Sequence, residues 1–389
     1  MQLESQVLIA VGGILLLGLI TDALGKKTFL PRVTLLLIFG AIIGDGMFGI
    51  IPDVVTDRFE LVADMALLMV GFLIGGKLTV KSLKDSAGQI FWISITTAIV
   101  TAMVVASVLI AFGVEPGVSI LLGCIASATA PAAIFDVIAE SGFKGAFSDL
   151  LLSIVAIDDA WALLLFAVGV AIVAAMNGAD VSMVSPLYTI LREIGGAVML
   201  GLFIGFPAAY LTGRIRPGQP MLIEALGLVF VCGGLAIMLE MSFLIAAMVL
   251  GAVIANFAKH HEYPFHAIEG IEWPFMVIFF VLAGASLELG ALEELGMLGL
   301  IYILSRIAGK YIGSMMGCSI GGVGSPMKQW MGPALLPQAG VAIGMALVAS
   351  EHFPGYAQTL LTVVISSTIF FEIIGPVFTR LALSRVREM

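Results

Sequence analysis

The chain has 389 residues, of which 60% are hydrophobic and only 12% charged, with a formal net charge of −9. So few polar residues cannot cover the apolar surface of one soluble core, so the composition assigns the chain to lipid. The acidic balance, with no basic run or interleaved aromatic patch, excludes nucleic acid as a partner.

Along the chain, apolar stretches of about 17–28 residues recur, enough to cross a hydrocarbon core of about 30 Å at about 1.5 Å per residue. Strand-like alternation at period two is absent, which predicts an all-α polytopic membrane protein. The first residues, Met1-Gln2-Leu3-Glu4-Ser5, lack a basic n-region and a cleavage site, so the first stretch is expected to be a retained span. The predicted spans cover 6–24, 33–51, 61–77, 88–113, 117–140, 149–176, 187–212, 221–239, 242–258, 273–289, 295–318, 330–350 and 357–383, thirteen in all. Cys124, Cys232 and Cys318 are isolated within apolar stretches and read as packing residues.

Charge in the loops orients this set. With the N-terminus outside, fourteen of the eighteen Lys and Arg fall on the cytoplasmic side: Lys26, Lys27, Arg32, Lys77, Lys81, Lys84, Lys144, Arg214, Arg216, Lys259, Lys328, Arg380, Arg385 and Arg387. The outer loops keep Arg58 and otherwise carry acids: Asp53, Asp57, Glu115, Asp180, Glu240, Glu293, Glu294 and Glu351. An odd number of spans leaves the C-terminus in the cytoplasm, and no soluble regulatory domain is expected after the last helix. A multi-pass protein of an inner or plasma membrane is therefore predicted.

An ionised group near the bilayer centre costs several kcal/mol unless it is paired or hydrated, so each one is a functional candidate. In the sixth span, Ile157-Asp158-Asp159-Ala160-Trp161 places two adjacent carboxylates on one helix. Their directions differ by about 100°, so one can face an ion cavity while the other reaches a neighbouring helix. Mutual repulsion disfavours ionising both, which suits reversible proton binding. Lys310, in Ser305-Arg306-Ile307-Ala308-Gly309-Lys310, is the expected charge partner. It lies about 12 Å from the cytoplasmic end of its span, and Asp158 about 13 Å, at about 1.5 Å per residue. Gly309, Gly313 and Gly317 form a small-residue stripe on which another helix can approach closely. Arg306, one turn away and always charged, is read as structural support.

Two spans contain helix breakers. Ser127-Ala128-Thr129-Ala130-Pro131 interrupts the fifth, and Leu336-Pro337-Gln338-Ala339-Gly340 the twelfth. Irregular backbone at membrane depth is tolerated where it is buried in protein or lines a cavity, and transporters use such breaks as ion sites. Each break precedes a span with interior acids, Asp158 and Asp159 in one case and Glu372 in the other, which points to two inverted repeats with discontinuous crossing helices. Asp136, just beyond Pro131, is a candidate for a cytoplasmic funnel. Arg192 and Glu193, at the start of the seventh span, read as a snorkelled or interhelical pair, and Gly201 with Gly205 as a helix-pairing spacing. His260, His261 and His266 share a loop with Glu262, Glu269 and Glu272, read as solvated with pH sensing as the alternative.

Over nearly its whole length the chain resembles the monovalent cation:proton antiporter-2 family, in its sodium/proton branch. The resemblance rests on Leu30-Pro31-Arg32 through Gly40 and Gly44, Phe72-Leu73-Ile74-Gly75-Gly76-Lys77-Leu78, the paired aspartates with Lys310, Leu336-Pro337-Gln338-Ala339-Gly340 and Glu372-Ile373-Ile374-Gly375-Pro376. It implies core helices at about 88–176 and 295–383 moving, elevator-fashion, against dimerisation helices at about 1–77 and 187–289, in a homodimer. By analogy Asp159 binds the cation and Asp158 pairs with Lys310. The chain departs from the family at Gly75-Gly76 and at Gln338, where some members carry acids. The expected activity is exchange of Na⁺ for H⁺, the two competing for Asp158 and Asp159 with oxygens from Thr129 or Ser127, in an electrogenic cycle without a cofactor. A K⁺/H⁺ or non-selective exchanger shares all these features; a channel, an anion symporter and an intramembrane protease fit the buried, divergent acids less well.

Overall fold

The computed structural model describes residues 2–44, 47–56, 59–177, 191–212, 221–259, 262–287 and 296–387. Asp57, Arg58, Asp180, Arg214, Arg216, His260, His261, Glu293 and Glu294, assigned above to loops, lie outside the described residues. Among the described residues the regular structure is entirely helical. Among the described residues seven helices are long and apolar enough to cross a membrane, or eight if a pair bent by 45° at Gly270–Ile271 counts as one span. Several predicted spans are shorter or divided, because proline and glycine stop the helix inside the apolar run. The predicted 33–51, for example, is helical over Arg32–Ile43 and then turns at Gly44.

The chain divides into two compact units. The first comprises Met1–Asp85 and Leu191–Leu287. It contains α1 (Gln2–Lys27), α2 (Arg32–Ile43), α3 (Asp53–Thr56), α4 (Phe59–Lys77), the start of α5 (Val80–Ala111), α9 (Gly196–Thr212), α10 (Met221–Met238), α11 (Phe243–Phe257), α12 (Glu262–Glu269) and α13 (Glu272–Ala285). α2 packs on α13 and α4 on α11. At both contacts glycine removes the side chain between backbones: a Cβ on Gly75 would strike the backbone of Met248, and one on Gly284 that of Leu37. Gly201 lets α9 approach the Ala246 carbonyl of α11, and Gly205 makes room for the Val253 side chain. Asn256 closes the turn after α4, donating to the Leu78 carbonyl at 3.0 Å and accepting from the Val80 N–H at 2.6 Å. His266 sits on α12, a short helix where the sequence suggested a loop. Arg192, in the π-helical turn before α9, pairs with Glu240 at 2.9 Å rather than with its neighbour Glu193.

The second unit comprises Ser86–Ile190 and Glu288–Met389. It contains most of α5, then α6 (Pro116–Ile125), α7 (Pro131–Ser141), α8 (Ala146–Met176), α14 (Gly296–Ile320), α15 (Ser325–Ala334), α16 (Gly340–His352) and α17 (Ala357–Arg387). The same series occurs twice: a long helix, two short helices around an unwound segment, then a helix of 31 residues. The stripe of Gly309, Gly313 and Gly317 brings α14 onto the α5 backbone at Thr101, Thr97 and Ile93. Trp161 on α8 donates to the Ser94 hydroxyl of α5 at 3.1 Å.

Candidate functional site

The two interruptions do the positioning. α6 ends at Ile125, and the chain turns and extends through Ser127–Ala130 until Pro131 opens α7, a position where the missing N–H costs no helical bond. α15 ends at Ala334, and the stretch from Leu336 to Ala339 is non-helical before α16 begins at Gly340. The two unwound segments meet, with the Ala130 N–H donating to the Pro337 carbonyl at 2.9 Å. Gly375 supports this crossing, since a Cβ there would lie 2.6 Å from Pro337 Cα.

Unwinding leaves carbonyls without helical donors, which is expensive away from water. α14 answers them from one face, because residues 302, 306 and 310 are spaced a turn apart. Arg306 donates from Nε to the Ala126 carbonyl at 3.0 Å, from Nη2 to Ala128 at 2.8 Å and from Nη1 to Leu336 at 2.8 Å. One planar fork thus ties both breaks together, a geometry that lysine does not offer. The Phe371 ring lies 4.1 Å from its Cζ.

One turn on, Lys310 Nζ donates to the Ser127 carbonyl at 2.6 Å, to Thr129 Oγ1 at 2.6 Å and to Asp158 Oδ2 at 3.1 Å. The Thr129 hydroxyl itself donates to the same Asp158 oxygen. All three ammonium protons are therefore engaged, and both members of the ion pair are fully buried. Such a pair persists because these hydrogen bonds offset the desolvation of the charges.

Asp159 is placed differently. It is buried at 6% exposure, and neither carboxylate oxygen has a hydrogen-bond partner; the second oxygen of Asp158, Oδ1, also has none. The roughly 100° between successive helical residues is what separates the two acids.

Of the remaining sequence candidates, Ser127 contributes its carbonyl, while its hydroxyl donates to Cys124 at 2.6 Å. Gln338 is fully buried and makes no hydrogen bond to either aspartate. Glu372, part-exposed on α17, is joined to the cluster by no hydrogen bond. Asp136 is buried on α7 near Glu140, which pairs with Arg380 of α17 at 3.3 Å. Tyr302, fully buried on the cationic face of α14, was not singled out from the sequence; its spacing of one turn from Arg306 was the available signal.

Two unwound crossings, stitched by buried cations and flanked by adjacent acids within an apolar helical unit, are an arrangement suited to a membrane ion transporter. Residues 12–384 match the family described as "Sodium/hydrogen exchanger, transmembrane", and the chain belongs to that family. Among curated proteins it is similar to the ammonium/H(+) antiporter subunit AmhT of Alkalihalophilus pseudofirmus, 23% identical over 312 residues covering 80% of this chain and 78% of that one. Among solved structures it is similar to the sodium proton antiporter MjNhaP1 of Methanocaldococcus jannaschii at pH 8, with a TM-score of 0.70 at 20% identity over 99% of this chain and 96% of that one. An electron-microscopy structure of the same antiporter gives a TM-score of 0.73 at 19% identity, covering 96% and 93%. These structural likenesses describe the shared fold.

Proposed function

We propose that the protein exchanges Na⁺ for H⁺ at Asp159, with Asp158 and Lys310 as the coupled pair beside it, as expected of the paired-aspartate antiporter-2 branch. The observation that carries the reading is the asymmetry of the two acids: Asp158 is held through Oδ2 by Lys310 and Thr129, while both oxygens of Asp159 lack partners in a buried setting. A bare buried carboxylate calls for a proton or a cation, and it cannot hold both.

Charge arithmetic bears on stoichiometry. Two aspartates, Lys310 and Arg306 sum to zero when all are ionised, and swapping one H⁺ on Asp159 for one Na⁺ leaves the cluster's charge unchanged. An electrogenic cycle needs a second proton, and Lys310 supplies it if cation entry draws Asp158 away from the ammonium. The unit that carries the crossing then moves as the carrier, elevator-fashion, within a homodimer whose thirteen-span topology has the N-terminus outside. The second reading changes the cation: the similarity to an ammonium/H(+) antiporter subunit makes NH₄⁺, alongside K⁺, the rival substrate.

The test is proton flux in sealed vesicles after pulses of Na⁺, Li⁺, K⁺ or NH₄⁺. Flux with Na⁺ that rises with an applied membrane potential supports the proposal. Flux with K⁺ or NH₄⁺ alone transfers the site to the rival cation, and flux insensitive to potential removes the second proton. Competition also fixes a pH dependence: where protons hold the site, the apparent Kd for Na⁺ rises about tenfold per unit fall in pH for each proton that Na⁺ displaces, so about a hundredfold per unit if Asp159 and Lys310 both release one.

A further inference from the structure

Glu372 is an acid at membrane depth that the exchange chemistry leaves unused. It lies midway along the 31-residue α17, about 22 Å from either end at about 1.5 Å per residue. Its side chain is part-exposed and forms no hydrogen bond or ion pair among the described residues. The next residue, Phe371, faces the Arg306 guanidinium, and Glu372 projects about 100° round the helix from it. One turn earlier on α17 stands Thr368, 1% exposed, whose hydroxyl has no hydrogen-bond partner. Helical residues four apart bring their Cβ atoms within about 5–6 Å, so the two unpartnered groups share one face.

An ionised carboxylate midway through a membrane helix is costly unless a cation or water offsets it. The cations on the helices packed against α17 are committed elsewhere. Arg306 holds three backbone carbonyls, Lys310 holds Asp158, Thr129 and the Ser127 carbonyl, and Lys328 stands at the start of α15. Arg380, two turns along α17 itself, pairs with Glu140 at 3.3 Å. The acids of α7 and α8, Asp136, Asp158 and Asp159, only oppose a further negative charge.

We propose that Glu372 is a second proton site, held as the neutral acid with its O–H donating to the Thr368 hydroxyl oxygen. A neutral carboxyl has one proton to give and a hydroxyl has lone pairs to receive it, so both unpartnered groups are satisfied together. The occupant is a proton rather than a second metal cation: one carboxylate and one hydroxyl supply at most three oxygens, where hard cations take about six. The proton is resident, and Na⁺ binding at Asp159 leaves it in place. A part-exposed neutral acid at this depth is also the group that a lipid-soluble carbodiimide modifies. In that addition the acid's proton passes to one carbodiimide nitrogen while its oxygen bonds the central carbon, and no group leaves.

Infrared spectroscopy of the full-length protein in vesicles at neutral pH tests this, since a protonated carboxyl shows a C=O stretch that a carboxylate lacks. The expected result is one such band that disappears in Glu372→Gln, moves to higher frequency in Thr368→Val as its hydrogen bond is lost, and stays put when saturating Na⁺ is added to wild type. A spectrum in which Glu372→Gln loses no protonated-carboxyl band overturns the proposal. Loss of the Glu372 band on adding Na⁺ also overturns it, because the site then exchanges its proton for the cation. Should Glu372→Gln fail to fold, dicyclohexylcarbodiimide labelling of wild type decides by mass spectrometry: an adduct at Glu372 that forms equally with and without Na⁺ is expected, and an unlabelled or Na⁺-protected Glu372 contradicts the resident proton. None of these readouts depends on transport, so the exchange reading at Asp159 and the second proton site stand or fall separately.

Discussion

The two units solve the problem of helix association in lipid by different means. In the first, Thr21, Thr34, Thr212 and Glu272 are the only buried polar side chains among the described residues, and helices close on one another through glycines such as Gly75 and Gly284. In the second, broken helices expose backbone, and buried Ser, Thr, Asp, Arg and Lys side chains repair it. Close packing tolerates no added atom, whereas a polar network tolerates no missing partner. Binding and release of a charged species require polar groups that can exchange partners, and in the proposed exchange that role falls to the second unit.

That contrast predicts how each unit breaks. The largest effect is expected from Lys310→Ala, which strands Asp158 as an unpaired buried charge and destabilises by about 3–5 kcal/mol. Thermal melting checks it. Next comes Gly75→Leu in the first unit, where added atoms meet the Met248 backbone and overpacking costs about 1–3 kcal/mol. The surviving folded protein keeps its Na⁺ dependence; a changed KM for Na⁺ would blur the division between the units. Thr129→Val preserves shape but removes the hydroxyl shared by Lys310 and Asp158, at about 1–2 kcal/mol, with a measurable shift in KM for Na⁺. Smallest is Arg192→Ala: its pair with Glu240 is 47% and 76% exposed, so melting should move by less than about 1 kcal/mol.

Much of this was legible beforehand. Apolar run length located the helices, and Pro131 and Pro337 located both breaks, because proline cannot donate inside a helix. What sequence could not give is how those breaks meet. The Ala130–Pro337 hydrogen bond and the reach of Arg306 to Ala126 and Ala128 join segments far apart in the chain, the latter two by 180 and 178 residues. Tyr302 escaped notice because a tyrosine in an apolar run carries no charge to betray it, and Gly44 stopped α2 inside a run that composition alone read as continuous. The different settings of Asp158 and Asp159 follow from helical geometry; which of them faces Lys310 came only from the family resemblance, and in the structure it is Asp158.

The central claim is that Na⁺ and H⁺ exclude each other at Asp159. Its most direct test is the number of protons released when Na⁺ is added to purified, weakly buffered protein, in wild type and in Asp159→Asn. The account predicts release in wild type and none in Asp159→Asn, with the variant's melting temperature retained. Undiminished release from Asp159→Asn, or Na⁺ binding to wild type without proton release, would contradict it.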